Sequence, residues 1–451
     1  MRRNLFTGLF PQGYLALMSD PAPAPVPSDH PRRYELANEL HARPFPEVSA
    51  PCRAMYLAFK QPRDAATRDR AEDRAHLVVL LDRFGAPHPK PGATHWIGRL
   101  GRHTLKWECH TEFTTYTLFL DGLEARPFDP ADYEVLPANW LAAAPGLRIA
   151  SAMIRIEVLE NGAEEAVAER LDEWFVAESL SAGYVLDEVA IVASDFRIDT
   201  AGHVRFALFV RPDVGARRIG RIVQRLTEIE IYSAMSLLGL PRARDVSARM
   251  GEIDKQLVTL MSDLTGDSRP AEEALGKLLN VSAELENLLA TASFRFGATA
   301  AYEAIVHDRV RVLRESRFAG RQLFSEFVSR RYDPAMRTIR STEARLRTMA
   351  ERAARAGDLL RTRVDVERQA QNQRLLESMD RRADLALKLQ HTVEGLSVVA
   401  ISYYALNLAS YATYPFYEAV GLSKGLATAL LTPVVVLVVF LMIRRIRKGM
   451  H

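Results

Sequence analysis

The sequence predicts an α/β cytosolic domain with a mixed sheet, followed by an all-α stalk of long helices and a two-helix C-terminal transmembrane hairpin. Three observations predict it. The stretch 426–443 carries no charged side chain, and a spanning helix needs roughly 20 mostly apolar residues, because lipid leaves every backbone polar group to be satisfied within the segment. From Pro334 to Pro415 the chain has no internal proline, and Gly357 and Gly395 are its only glycines. Ahead of these regions, residues 34–212 alternate between period-two and period-3.6 apolar patterns, the mark of a mixed α/β domain.

At 451 residues the chain has room for two or three domains. A quarter of it is charged, yet the formal net charge is only +3. That balance exerts no pull toward acidic partners, and the excess of Arg over Lys fits ion pairing as well as membrane anchoring, so no nucleic-acid partner is expected. Cys52 and Cys109 are the only cysteines, and in a reducing cytoplasm they are expected to be free and packed.

Residues 1–33 open with Arg2 and Arg3, then a short apolar patch broken by Pro11 and Gly13, then a Pro-Ala run at 21–27. They lack the continuous apolar core and cleavage site of a signal peptide and are expected to be a disordered leader, with translation starting at Met1 or Met18. The α/β domain occupies 34–212. Within it 54–60 reads as a strand, 64–84 as a helix, and 103–110 with 112–120 as paired strands offering Trp107, Phe113, Tyr116 and Phe119 for packing. A Pro- and Asp-punctuated helical piece at 130–143, a strand at 147–159 and an amphipathic helix at 163–180 follow. Strands at 185–196 and 204–210 close the domain as a hairpin around 199–203.

The stalk is placed at 213–394. Ile219, Ile222, Val223, Leu226 and Ile229 form the apolar face of a helix expected to end before Pro241, while Arg218, Arg221 and Arg225 crowd another face. The simpler account of that second face is solvation, with Arg225 paired to Glu228 for about a few tenths of a kcal/mol; phosphate or lipid-headgroup binding is the alternative. Helices at 242–264, 270–293 and up to 331 lead to Asp333, expected as an N-cap with Pro334 in the first turn of a long helix from about 334. About 80 residues at about 1.5 Å each give a rod on the order of 120 Å. Its seam runs through Leu346, Met349, Ala353, Ala356 and Leu360; after a charged interruption, Leu376, Met379, Ala383, Ala386, Gln390 and Val393 resume in a shifted register. The seam's partner is either another helix of this chain or a second copy.

Residues 395–414 form the first expected span, 415–425 a non-cytoplasmic loop, 426–443 the second span and 444–451 a basic cytoplasmic tail. Pro433 is expected to make a mild kink, the freed carbonyl being met by a neighbouring helix, water or the hydroxyls of Thr428 and Thr432. Tyr403, Asn407, Ser410 and Tyr414 are spaced four, three and four and so share one helical face. With Ala405, Ala409 and Ala412 nearby, that face reads as a helix–helix interface; a pore lining is the alternative. Either implies a homo-oligomer through the stalk and first span, with the lipid bilayer as the other partner. Arg444, Arg445, Arg447 and Lys448 follow the second span, and Arg381, Arg382 and Lys388 precede the first. By the positive-inside rule both termini are cytoplasmic.

Chemistry is sparse. His95, His103, Cys109 and His110 are close in sequence, but Cys109 and His110 would point to opposite faces of a strand and no zinc spacing is matched, so no metal is expected. The segment His41-Ala42-Arg43-Pro44 reads as a structural polar turn. No phosphate-cradling Gly-rich loop, nucleophile elbow or paired-histidine helix appears, so neither a cofactor nor an enzyme is expected.

Two resemblances add to this. The stretches Glu35-Leu-Ala-Asn-Glu-Leu-His-Ala-Arg-Pro-Phe-Pro46, Ile222-Val-Gln-Arg-Leu-Thr-Glu-Ile-Glu-Ile-Tyr232 and Val393-Glu-Gly-Leu-Ser-Val-Val-Ala-Ile-Ser-Tyr-Tyr404 resemble the signatures of a bacterial family of membrane-anchored proteins of unknown function. The resemblance implies a bacterial inner (cytoplasmic) membrane and no particular activity. The layout of cytosolic α/β domain, long stalk helix, two spans and basic tail is similar to the CorA class of magnesium channels. Those carry a Tyr-Gly-Met-Asn signature, for which Tyr404-Ala405-Leu406-Asn407 stands here with Gly and Met replaced, and a loop acid for which Glu418 stands. That likeness implies Asn407 and Glu418 as candidate pore residues. The leading expectation is therefore a non-enzymatic membrane-anchored oligomeric scaffold or sensor; a CorA-like cation channel is the alternative, and a membrane-tethered enzyme using His41 or the 103–110 region the third.

Overall fold

The computed structural model describes residues 28–39, 45–62, 68–265, 270–419 and 423–449. The leader before residue 28, the His41–Pro44 segment and the tip of the loop between the expected spans lie outside them. The chain divides into two compact units, Met1–Glu252 with Leu285–Thr348, and Ile253–Glu284 with Met349–His451.

The first unit opens with a short helix, α1 (Arg33–Glu39), and is built on a nine-stranded sheet of order β2-β3-β4-β1-β5-β8-β7-β6-β9. Its strands are β1 (Cys52–Lys60), β2 (His95–Leu100), β3 (His103–Cys109), β4 (Phe113–Asp121), β5 (Leu147–Val158), β6 (Ser181–Val185), β7 (Ala190–Ser194), β8 (Val204–Val210) and β9 (Ser316–Arg317). Only β5 and β8 pair in parallel; the other neighbours are antiparallel. The sheet is therefore mixed, as the sequence implies. The strands at 54–60, 103–110, 112–120, 147–159 and 204–210 fall where periodicity placed them. Strands β2, β6 and β9 are additions, and the helix expected at 163–180 ends early, as α4 (Glu164–Trp174), because the chain turns after Phe175 into β6.

Both faces of the sheet are covered, which is why β1 is buried at eight of nine positions. On one face Met55, Leu57 and Phe59 pack with Leu77, Leu80 and Leu81 of α2 (Arg70–Arg83) and with Trp140 of α3 (Ala138–Ala142). The α2 N-cap is Asp69, whose carboxylate accepts from Ala71 N at 2.7 Å. The opposite face, around Tyr56, Thr115 and Thr117, meets Val223, Thr227 and Ile231 of α5 (Ala216–Leu237). Gly220 permits this approach: a Cβ there would lie 1.7 Å from the Pro46 carbonyl oxygen.

After a break at Leu238 the chain continues as α6 (Gly239–Thr265), so Pro241 sits in a first helical turn, where its missing N–H costs nothing. Helix α7 (Ala271–Arg311) runs unbroken past residue 293. The chain then returns to the sheet as β9 and re-enters helix through α8 (Phe324–Phe327), a π-turn (Val328–Tyr332) and α9 (Asp333–Ala412), 80 residues long. This corrects the expected N-cap. Asp333 has helical angles (φ −58, ψ −35) and its N–H reaches back five residues to Val328 O. The cause is Pro334, which has no N–H to give the preceding turn; the ladder slips by one residue there instead of starting.

In the second unit the seam on α9 has a partner within this chain. Met349, Ala353, Ala356, Leu360 and Val364 are buried together with Ile253, Leu257 and Leu260 of α6 and Ala271, Ala274, Leu278 and Val281 of α7. Ion pairs Arg352–Asp254 (4.0 Å) and Arg368–Glu272 join the same helices. From Val366 to Val393 the large apolar residues of α9 lie exposed, with Leu376 at 66% and Met379 at 58%. A short helix α10 (Tyr414–Ala419) precedes α11 (Lys424–Gly449). The C-terminal part of α9 and residues Lys424–Ile446 are long and apolar enough to cross a membrane. Pro433 sits inside α11. The hydroxyls of Thr428 and Thr432 bond the carbonyls of Lys424 and Thr428, each at 2.8 Å, and not that of Ala429, which Pro433 leaves open.

Candidate functional site

A cavity of about 300 Å³ in the first unit is bounded by Val204 at the start of β8 and by three further parts of the chain. Helix α5 contributes Glu230, Ser233, Ala234 and Leu237, spaced three, one and three, so that they form a single stripe beside the one that packs on the sheet. The β7–β8 connection contributes Phe196 and Ile198. The segment that opens α9 contributes Phe327, Val328, Arg331 and Tyr332. Phe196 takes a left-handed backbone (φ 53), costly for a residue with a bulky side chain. That conformation places its ring flat against Phe327, 4.1 Å between centroids, and edge-on to Phe324 at 4.8 Å.

The polar groups in this apolar space are few and placed. Glu230 makes no hydrogen bond or ion pair among the described residues, and burial pushes its carboxyl up to about 7. Tyr332 is anchored by its hydroxyl, 2.7 Å from Ser236 Oγ, which in turn donates to Ser233 O at 2.9 Å. Burial holds the Tyr332 phenol above its ordinary range. Arg331 is exposed at the rim. An apolar cavity with one carboxyl that holds its proton near neutrality suits a mostly apolar molecule bearing a single hydrogen-bonding or cationic group. Sequence reading missed this site although Glu230 lies inside the quoted 222–232 stretch. The available signal was a carboxylate breaking an otherwise apolar stripe that ends in Ala234 and Leu237.

The residues singled out from sequence fall elsewhere. Cys109 faces α2, where Arg68 approaches its Sγ at 3.7 Å, binds Asp73 and donates to Thr114 Oγ1. His110 lies on the α5 side, stacked on Phe113 at 4.4 Å and edge-on to Tyr232 at 6.5 Å. The two neighbours do point to opposite faces. His103 lies at the far end of β3 beside Arg102, and His95 Nδ1 is buried without a partner. Among the described residues no three His, Cys, Asp or Glu side chains converge as a metal site would require. Tyr403, Asn407 and Tyr414 are exposed on α9 and α10 and Ser410 is half-buried; the Glu418 side chain is outside the described residues. The less exposed face of that part of α9 holds Ser402, Ala405, Leu406 and Ala409.

A serine and a histidine do meet: Ser151 Oγ is 2.6 Å from His203 Nδ1, and Tyr133 lies flat on the His203 ring at 4.1 Å. All three are buried, and the hydroxyls of Ser151 and Tyr133 donate to the carbonyls of Tyr56 (3.1 Å) and Ala152 (2.9 Å). Asp199 accepts from the His203 backbone N–H and from Ala201 N, so it shapes the turn and does not orient the imidazole. This is a polar plug in the sheet. The expected Arg225–Glu228 pair is corrected: Glu228 accepts from Gln224 Nε2 at 2.8 Å and from Arg309 Nε, which leaves Arg225 without it.

No curated protein and no solved structure matches the chain. A family model does, described as "Protein of unknown function (DUF3422)", over residues 28–450, a span that includes all three signature stretches. The chain belongs to this DUF3422 family.

Proposed function

We propose that this chain is a membrane-anchored, non-enzymatic sensor and oligomeric scaffold. Its α/β domain is held on the cytoplasmic face of a bacterial inner membrane by two spans, with both termini in the cytoplasm. The observation that carries the reading is one of continuity. The π-turn Val328–Tyr332 walls the Glu230 cavity and opens α9, and α9 runs without a break into the first apolar segment. Single π-turns inside α-helices recur at functional positions because they can shift by one residue. A ligand that favours one register of this turn over the other shifts the equilibrium by that difference in affinity.

Charge supports the orientation, with arginines flanking both apolar segments on the side of the termini. Exposed Leu376 and Met379, between the buried seam and the span, support self-association through α9, since a second copy offers the same stripe. The test is made on membranes containing the full chain with Leu376→Cys; Cys52 and Cys109 are buried, so the background is low. Oxidation is expected to give a cross-linked dimer, and Ala234→Trp, which fills the cavity, to change its yield. Release of the full chain by carbonate washing, or a yield unchanged by Ala234→Trp, overturns the reading. Magnesium flux into proteoliposomes that disappears in Asn407→Ala would put the channel reading in its place.

A further inference from the structure

Helix α5 carries Arg218, Arg221 and Arg225 at spacings of three and four, on one face, with no acidic residue in its first turn. Of these only Arg218 lies in the first turn, where a cation opposes the macrodipole. Carboxylates that could neutralise them are engaged elsewhere: Glu228 by Arg309, and Asp187 by Arg314 at 2.7 Å. Arg218 donates to Leu186 O at 3.0 Å. Neither Arg221 nor Arg225 has a carboxylate within ion-pair distance among the described residues, and Arg225 Nη1 is buried with no hydrogen-bond partner. Burial lowers the Arg225 pKa, and Arg221, Arg309 and Arg314 lie near enough to add to it, against a smaller opposing pull from Glu228. A guanidinium N–H taken out of water with no acceptor is unfavourable, and an anion bound beside it would supply one.

We propose that this arginine face binds a phosphate group, with Arg225 and Arg221 as its donors and Arg218 at its edge. The geometry of a guanidinium fork matches phosphate oxygens in pairs, which a lysine cannot do. The phosphate belongs either to a lipid headgroup or to a soluble phosphorylated compound. Because it rests on the arginine face and uses neither the Glu230 cavity nor the π-turn, the inference stands apart from the sensor reading.

The experiment uses the full chain in a non-ionic detergent, with thermal unfolding followed at constant ionic strength. Probes are inorganic phosphate against chloride, and micelles doped with phosphatidic acid against phosphatidylcholine. Phosphate or phosphatidic acid is expected to raise the unfolding midpoint. Arg221→Gln with Arg225→Gln should weaken the apparent affinity by about tenfold or more, from the loss of charged hydrogen bonds, while Arg374→Gln, on exposed α9, leaves it unchanged. If the double variant fails to fold, Arg225→Lys serves instead, keeping the charge and losing the fork, with a smaller loss expected. A response to phosphatidic acid alone assigns a headgroup, and a response to inorganic phosphate assigns a soluble ester. Absence of both responses, or equal responses in wild type and arginine variants, overturns the proposal.

Discussion

Replacing Glu230 with glutamine keeps the shape of the side chain and removes its charge. In the folded chain burial holds the Glu230 carboxyl up to about 7, against an ordinary 4.5. Between those values the folded state keeps a proton that the unfolded state has released, so stability from this position is complete below pH 4.5. It declines as the pH rises toward 7 and is constant above. At about 1.4 kcal/mol per pH unit, the loss comes to about 3 kcal/mol, an upper value because water entering the cavity screens the ionised form. Glutamine carries no such penalty. Thermal unfolding of the full chain in detergent, followed from pH 4.5 to 8.5, should show wild type and Glu230→Gln together at the acid end. They should separate above pH 7 by several degrees in favour of the variant. Infrared difference spectra should show a protonated carboxyl band lost near pH 7 in the wild type and missing from Glu230→Gln. Parallel stability profiles across the whole range would refute the reasoning, since a solvated Glu230 titrates alike in both states.

Other outcomes follow from close contacts in the first unit. Gly220→Ala places a methyl group where the Pro46 carbonyl lies, 1.7 Å away; the loss should be at least about 1–3 kcal/mol in chemical denaturation because backbone has to move. Asp73→Ala strips the buried Arg68 of its carboxylate and should cost about 3–5 kcal/mol, visible as a lower unfolding midpoint. Ser151→Ala removes the hydroxyl between His203 and the Tyr56 carbonyl and should cost about 1–3 kcal/mol. Its ester hydrolysis should equal that of the wild type; loss of a measurable wild-type hydrolysis would instead make the Ser151–His203 pair catalytic.

Much of the architecture was legible because it rests on periodicity. The alternation in β3 and β4, the apolar run of β1, the apolar face of α5 and the seam at Met349 to Leu360 follow from which residues must leave water. The strands that were missed carry weak patterns. Ser181-Ala-Gly-Tyr-Val185 is too small in its side chains to alternate clearly, Gly98 interrupts β2, and β9 has two exposed residues whose pairing with Tyr184 and Gly183 is decided by distant chain. Asp333-Pro334 has the composition of a helix start, and sequence cannot tell a start from a slipped turn. The cavity was not legible because it joins the β7–β8 connection, α5 and the entry to α9, residues scattered from Phe196 to Tyr332. Arg225 was misassigned because local spacing favours Glu228, whereas Arg309 reaches that carboxylate from another helix.

The late arrival of β9 has a consequence for biosynthesis. Residues 316–317 complete the sheet edge beside β6, and Phe318 seals the core under it at 2% exposure. A nascent chain leaving the ribosome therefore cannot finish this domain when β8 emerges; the open edge waits through the whole of α5, α6 and α7. A chain cut just after β8 would present an unpaired strand to its neighbours, a template for aggregation, and fragments meant to retain the fold should extend through the Phe324 turn.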